Sequence, residues 1–367
     1  MKKVGIITFH ASHNYGSMLQ AYALQQVVLS LGHECEIINF RTKAQKKFYL
    51  PFFLHEGWAI KLKAIRYPRL AIDSIRKYWN FENFLKEKYT LSLRTYATSE
   101  ELKEDVLDYD CYISGSDQIW NTSCCDFRTS YFLDFVIKGK RIAYAPSMGH
   151  MPFMQTSPQM YSFIKKSLLC YNNVSVREQD AAMLLKQTMG ITSQIVLDPT
   201  LLINPQIWLT MAGDKPLINE DYILVYTPRY DDYKQLFVIA AEIAEKCNLK
   251  IICTLPDNVS KWRKNIRFKY YTAVGPIEFL NLIKFSKYVF CGSFHAVVFS
   301  IVFGKPFYAF EGMSDSRISP LLKIVGLEHC ADIPKKSLII YDEMATKKKL
   351  EPYINQSIQF LENAINN

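Results

Sequence analysis

YVFCGSFHAVVFSIVFGKPFYAF, running from Tyr288 to Phe310, decides how this chain is read. Tyr288-Val289-Phe290-Cys291 is a short apolar run of the kind a buried parallel strand shows, and Gly292-Ser293 ends it with a turn residue and a helix N-cap. Phe294 to Phe303 reads as a buried helix despite its β-branched residues, because Gly304 and Pro306 supply a helix stop and a rigid exit. Pro306 to Phe310 is the next strand. Such a strand-turn-helix-strand unit aims the free amides of the first helical turn at the carboxyl edge of a sheet, where anions bind. His295 falls in that turn.

The same period extends toward both ends. Val4 to Phe9, Met18 to Leu31 and Glu34 to Phe40 form an opening strand-helix-strand unit, which calls for a parallel sheet. Strands are expected at Tyr109 to Ser114, Arg141 to Ala145, Asn173 to Val176 and Gln194 to Leu197, with helices at Gln159 to Leu169 and Glu178 to Met189. Asp198-Pro199 and Asn204-Pro205 mark the way out of this half, with a linker over Asn204 to Glu220. Strands at Tyr222 to Thr227, Lys250 to Leu255 and Ile266 to Tyr271, and helices at Tyr233 to Cys247 and Pro276 to Phe285, lead into the opening stretch; helices at Arg317 to Val325 and Lys349 to Ala364 follow it. The fold class is therefore α/β, with two Rossmann-like, doubly wound domains facing a cleft. The expected domains are 1–205 and 220–330, followed by a helical tail, 331–367.

A chain of 367 residues fits two such domains, and its 49% hydrophobic and 22% charged residues are those of a globular protein. Its first residues lack a cleavage site and read as a strand rather than a signal peptide, and no apolar run reaches the roughly 18 residues a spanning helix needs. Nine cysteines without a CxxC pair point to buried thiols in a reducing, cytoplasmic compartment, with no metal site and no disulfide framework. The net charge of +9 is regional: Arg41 to Arg94 holds 13 Lys and Arg against four acids, which accounts for all of it. Phe48, Tyr49, Phe52, Phe53, Trp58 and Trp79 are interleaved there. This segment, about 41–94, is expected as two or three helices inserted in the N-terminal domain. It is either a solvated helical face with an aromatic underside, or a surface for an anionic membrane or lipid-linked substrate. No nucleic-acid motif accompanies the charge.

Five strand exits carry polar residues: His13-Asn14-Tyr15-Gly16, Ser114-Gly115-Ser116-Asp117-Gln118, Ser147 to Gly149, Ser175-Val176-Arg177-Glu178, and Gly292-Ser293-Phe294-His295. A parallel sheet puts such exits on one edge, so these groups are placed to converge on one ligand. Arg177 has two readings, a structural ion pair or a bidentate clamp on carboxylate or phosphate. Arg317, in Ser314-Asp315-Ser316-Arg317, stands at another helix start. His295 is either a hydrogen-bonded structural residue or a general acid/base working near neutral pH. The absence of P-loop, HExxH, GxSxG and GxGxxG motifs removes the commonest nucleotide, zinc-protease and hydrolase readings. The residues alone lead to a two-domain α/β enzyme acting on an anionic small molecule.

Asn14-Tyr15-Gly16-Ser17-Met18-Leu19-Gln20-Ala21-Tyr22-Ala23-Leu24-Gln25, Ser114-Gly115-Ser116-Asp117-Gln118-Ile119-Trp120-Asn121, Ser175-Val176-Arg177-Glu178, Leu197-Asp198-Pro199-Thr200 and Ser293-Phe294-His295 together resemble the polysaccharide pyruvyl transferase family, in the family's order, over roughly residues 4–325. The resemblance implies a GT-B-like fold, an N-terminal acceptor side, and transfer of pyruvate from phosphoenolpyruvate to a sugar as a cyclic ketal, with no further cofactor. It implies His295 as acid/base and Arg177 as a holder of phosphoenolpyruvate, with Ser293, Phe294, Asn14, Tyr15, Gly16, Ser116, Asp117 and Gln118 as further binding positions. Better-known members carry Arg-x-His where this chain has Ser293, and many Ser-Phe-His relatives have Asp before and Gly after, where Gly292 and Ala296 stand. Arg317 is the candidate for the missing cation. The expected setting is surface or capsular polysaccharide synthesis at the inner face of the cytoplasmic membrane, on a lipid-linked sugar such as galactose. The competing readings are a nucleotide-sugar glycosyltransferase on the same scaffold and a catalytically silent glycan-binding member.

Overall fold

Short runs rich in Val, Ile, Tyr and Phe alternate with helices along the chain, and they assemble into two all-parallel sheets. A computed structural model describes residues 1–55, 57–149, 156–228, 234–254, 268–333 and 341–367, apart from the side chains of residues 59, 60 and 63. The elements begin β1 (Lys3–Ile7), α1 (Tyr15–Ser30), β2 (Glu34–Phe40), α2 (Lys43–Phe48), α3 (Trp58–Arg66), α4 (Pro68–Lys88), β3 (Leu91–Tyr96) and α5 (Ser99–Glu104). They continue with β4 (Cys111–Asp117), β5 (Lys140–Pro146), α6 (Pro158–Leu168), β6 (Asn173–Val176), α7 (Gln179–Met189), β7 (Gln194–Ile195) and α8 (Pro205–Met211). The rest are β8 (Tyr222–Tyr226), α9 (Lys234–Cys247), β9 (Lys250–Cys253), β10 (Phe268–Tyr270), α10 (Pro276–Phe285), β11 (Tyr288–Cys291), α11 (Phe294–Val302), β12 (Phe307–Ala309), α12 (Ile318–Val325) and α13 (Glu343–Asn366). Among the described residues no helix is long and apolar enough to cross a membrane.

The chain divides into two units, Met1–Phe48, Leu85–Ile203 and Glu351–Asn367 in one, Tyr49–Phe84 and Asn204–Leu350 in the other. In the first, seven strands run in the order β3-β2-β1-β4-β5-β6-β7. The chain winds outward from β1 to one edge, returns past β1 to β4 and winds to the other edge. Every residue of β4 is buried, as a central strand covered on both sides requires. The side chain of Asn14 caps α1 by accepting from Ser17 N. In the second unit the order β10-β9-β8-β11-β12 repeats the same winding with five strands. α11 buries every residue from Phe294 to Ile301, so its core position outweighs the poor helix propensity of its valines. Phe299 meets Trp208 edge-on at 5.1 Å.

Four expectations change. The segment about 41–94 does not belong to the N-terminal unit as one insertion: Tyr49–Phe84 packs with the second unit, where Thr272 Oγ1 donates to Asp73 at 2.9 Å and Asn80 donates to the Ala273 carbonyl. Its last residues are strand, because Leu91–Tyr96 pairs in parallel with β2 at the sheet edge. The linker expected at 204–220 contains α8 and is bound to α10 through Asn281, which donates to the Ala212 and Lys215 carbonyls and accepts from Leu217 N. The expected tail, 331–367, is not a separate body either, since Glu351–Asn367 packs with the first unit. Tyr233, Leu255, residues 266–267 and part of that tail, 334–340, lie outside the described residues.

β4 and β5 are closest at Gly115, whose partner in register is Tyr144. A Cβ at this position, with φ at +134°, would lie 1.9 Å from the Tyr144 carbonyl oxygen. Gly115→Ala is expected to cost about 3 kcal/mol or more, read as a fall in the urea midpoint or as loss of soluble protein.

Candidate active site

In doubly wound sheets, ligands bind beyond the carboxyl ends of the strands where the winding reverses. That point lies between β1 and β4 in the first unit and between β8 and β11 in the second. Both coincide with polar exits singled out in the sequence.

In the first unit those exits are joined into one buried network. Ser17 Oγ donates to Asp117 Oδ2 at 2.5 Å, linking the start of α1 to the end of β4. Gln20 donates to Thr8 Oγ1 and the Ser17 carbonyl and accepts from Ser116 N, while Thr8 Oγ1 donates to the Ser116 carbonyl at 3.0 Å. Ser147, at the β5 exit, donates its N–H to the Asp117 carbonyl at 2.8 Å, and Gly149 N donates to Ser147 Oγ. The centre is Asp198. Its Oδ2 accepts from Arg177 Nη1 at 2.8 Å and from Ser116 Oγ at 3.3 Å, and its Oδ1 accepts from Thr200 N and Thr200 Oγ1. Arg177 Nε donates to Glu178 at 3.0 Å.

Arg177, Glu178 and Asp198 are all buried. Burial lowers the guanidinium's affinity for its proton, and Glu178, Asp198 and Asp117 more than reverse this, so Arg177 is held above the ordinary arginine value. Of the two sequence readings, the geometry displays the structural ion pair, with the fork engaged by two carboxylates. Asn14, Gly16, Ser116 and Asp117 are brought to one edge together with Arg177; Gln118 bonds Asn121 beside them, and Tyr15 is buried in the first turn of α1. Sequence reasoning singled out no role for Asp198, Thr200 or Gln20. The apolar Ile195-Val196-Leu197 before Asp198 was a signal that this carboxylate enters the interior.

In the second unit Gly292 N donates to the Tyr226 carbonyl at the end of β8, which fixes the turn at the reversal point. Ser293 is the N-cap of α11 in extended backbone, and its hydroxyl caps none of the first-turn amides. The Ser293 N–H instead faces the sulfur of Cys291 at the end of β11. His295 is buried in this turn, its ring edge-on to Phe294 at 5.2 Å. Burial pushes the Cys291 thiol up to about 12, so this neighbouring cysteine stays protonated and serves packing. Arg317 follows the exit of β12, the strand paired with β11, and holds Asp315 side-on through Nε at 3.0 Å and Nη2 at 2.6 Å. That pairing leaves its Nη1 edge turned away from Asp315. Among the described residues no group of three or more His, Cys, Asp or Glu is placed to hold a metal ion.

The polysaccharide pyruvyl transferase family profile matches residues 14–312, which include Asn14, Ser116, Asp117, Arg177, Asp198 and His295 and end before Arg317. The chain belongs to this family. Against curated protein sequences it shows no match. Among solved structures it is similar to an α-glucosyltransferase in complex with UDP and a mismatch-containing DNA 13-mer, at 8% identity over 97% of this chain and 90% of that one, with a TM-score of 0.54. It is also similar to MnaA of S. aureus with UDP, at 11% identity over 99% and 91%, TM-score 0.52, and to the Neisseria meningitidis UDP-GlcNAc 2-epimerase bound to UDP-GlcNAc, at 10% over 100% and 94%, TM-score 0.49. At such identities the likeness concerns the fold alone, and that fold is GT-B-like. This pyruvyl transferase family member is thus a transferase with a GT-B-like pair of parallel sheets.

Removing Asp198 leaves a buried arginine with one of its two closest carboxylates. Asp198→Ala is expected to lower stability by about 3–5 kcal/mol in urea titration, and Arg177→Met in the same chain to restore part of it.

Proposed function

We propose that this protein transfers pyruvate from phosphoenolpyruvate to two hydroxyls of a sugar, forming a cyclic ketal during surface-polysaccharide synthesis. The observation that carries the reading is His295 in the first turn of α11, at the reversal point of the second sheet, in a chain matched by the family over residues 14–312.

The chemistry requires a proton donor and acceptor beside an anion site. His295 as imidazolium gives its proton to the methylene carbon of phosphoenolpyruvate, which makes the adjacent carbon electrophilic. A first sugar hydroxyl attacks that carbon and its proton returns to the imidazole. The carbon–oxygen bond to phosphate breaks with its electron pair, a second hydroxyl closes the ring, and that hydroxyl's proton leaves with the phosphate. The donor's carboxylate and phosphate are met at the start of α11 and by Arg317, which takes the place of the arginine other members carry at position 293. Arg177 contributes from within, holding Asp198 and the edge that carries Asn14, Tyr15, Gly16, Ser116, Asp117 and Gln118, positions assigned here to the acceptor. An acceptor carried on a lipid, a galactose-bearing one being the first to try, would place the reaction at the inner face of the cytoplasmic membrane.

Incubation with phosphoenolpyruvate and candidate lipid-linked sugars is expected to release phosphate and add the mass of a pyruvate ketal. Thermal stabilisation by UDP-sugars and not by phosphoenolpyruvate would overturn the reading in favour of a glycosyltransferase. His295→Gln is expected to lower the rate by about 10²-fold or more with an unchanged melting temperature. Arg317→Ala is expected to raise the KM for phosphoenolpyruvate about tenfold, and an unchanged KM would remove Arg317 from the site.

A further inference from the structure

The basic aromatic segment is not absorbed by the site. α4 packs one face inward, with Leu70, Ser74, Phe81 and Phe84 buried and Asp73 and Asn80 bonded to residues 272 and 273. A helix of 3.6 residues per turn puts Ile72, Ile75 and Trp79 on the opposite side, and all three are exposed. α4 is therefore apolar on two faces and covers only one. α3 goes further: Trp58, Leu62 and Ile65, spaced i, i+4 and i+7, form a single stripe and are 77%, 51% and 75% exposed. The turn Phe52–Leu54 donates from Phe52 N to Ser74 of α4, packs against α3, and exposes Leu54. A solitary exposed leucine needs no explanation, whereas seven exposed large apolar side chains among the described residues within Leu54 to Trp79 do.

Charge selects what covers them. Gly57 to Phe81 contains six Lys and Arg and one acid, Asp73, which is bonded to Thr272. Exposed Lys61 and Arg66 flank the α3 stripe on its two sides, and exposed Arg69 and Arg76 border the α4 stripe. An apolar stripe ending in tryptophan with long cations at its margins matches the boundary between acyl chains and anionic headgroups, where the cationic stems lie along the apolar layer and the heads reach the phosphates. A second copy of this chain, meeting the same face about a two-fold axis, would set these cations against one another.

We propose that α3 and the outer face of α4 form a docking surface for a bilayer containing anionic phospholipid. This does not depend on the reaction proposed above, because vesicle binding is measured without turnover. The purified full chain is sedimented with vesicles of an equal mixture of phosphatidylglycerol and phosphatidylcholine, and with vesicles of phosphatidylcholine alone. Binding is expected to the mixed vesicles at low salt, to weaken as salt rises, and to be far weaker on phosphatidylcholine. Leu62→Glu with Ile65→Glu is expected to reduce it about tenfold or more, and Lys61→Glu with Arg66→Glu to reduce it by at least fivefold per charge removed, roughly. Val238→Glu, on an exposed position of α9, is expected to bind as the parent does. Because the substituted side chains are solvent-exposed, melting temperatures are expected to stay unchanged. Failure to bind mixed vesicles at low salt would overturn the proposal, as would parent-like binding by the Leu62 and Ile65 variant. A dimer that this variant dissolves, without vesicle binding by the parent, would assign the face to self-association instead.

Discussion

The edge of the first sheet depends on the Asp198–Arg177 ion pair. A guanidinium in a buried position is tolerable only when carboxylates and hydrogen bonds replace the water it has lost. Asp198 supplies one carboxylate and is itself satisfied by Ser116 and Thr200, so three strand exits, after β4, β6 and β7, are tied to one side chain. A domain is stable by about 5–15 kcal/mol in all, and an uncompensated buried charge costs about 3–5 of these. The relative positions of these exits thus follow from the ion pair as well as from the strands. Asp117 extends the network to α1 through Ser17, so the start of that helix, with Asn14 as its cap and Gly16 in its first turn, is held by the same set of bonds.

The second unit reaches the same winding by different means. Its reversal point is served by α11, which is buried from Phe294 to Ile301 and contains adjacent valines. Helix propensity disfavours each β-branched residue by at most about 0.7 kcal/mol, while full burial of such a side chain contributes about 1.5–3 kcal/mol. Burial prevails, and beyond the first turn Ser300 is the one polar side chain of this element, its hydroxyl donating to the Ala296 carbonyl. In the first unit, by contrast, the polar groups of the edge are distributed over several exits.

Most of this was legible wherever a local pattern was enough. β2, β6, α10 and β11 begin and end where apolar runs and punctuation by Gly, Ser and Pro place them, and the strand-turn-helix around His295 follows from Gly292-Ser293. β4 runs on to Asp117, past the expected stop at Ser114, because Ser114, Gly115 and Asp117 pair with Ala143, Tyr144 and Pro146; polarity concealed a strand whose partners satisfy it. β3 was hidden within a basic run, since an edge strand buries few of its side chains. The attachment of residues 49–84 to the second unit rests on bonds such as Thr272 to Asp73, and a contact nearly two hundred residues apart in sequence leaves no local trace. Asp198 was obscured for a related reason: before a proline an aspartate reads as a turn former, and its ion pair with Arg177 exists only once β6 and β7 are adjacent.

Ser293 has a geometric consequence for the reaction proposed above. With arginine at that place, donor cation and acid/base histidine stand two residues apart on one turn, so local backbone geometry alone sets their spacing. Here the basic side chain proposed for the donor, Arg317, comes from the loop after β12 and is oriented by Asp315, while His295 follows β11. Their spacing therefore depends on the β11–β12 register, in which Cys291 stands opposite Ala309, and on the bond from Phe310 N to the Cys291 carbonyl that extends this pairing to the edge. The apolar strand residues from Tyr288 to Cys291 and from Phe307 to Ala309 thereby set the geometry of the proposed donor site as well as packing: a slip of one residue would turn their side chains to the opposite faces and carry the arginine loop with them.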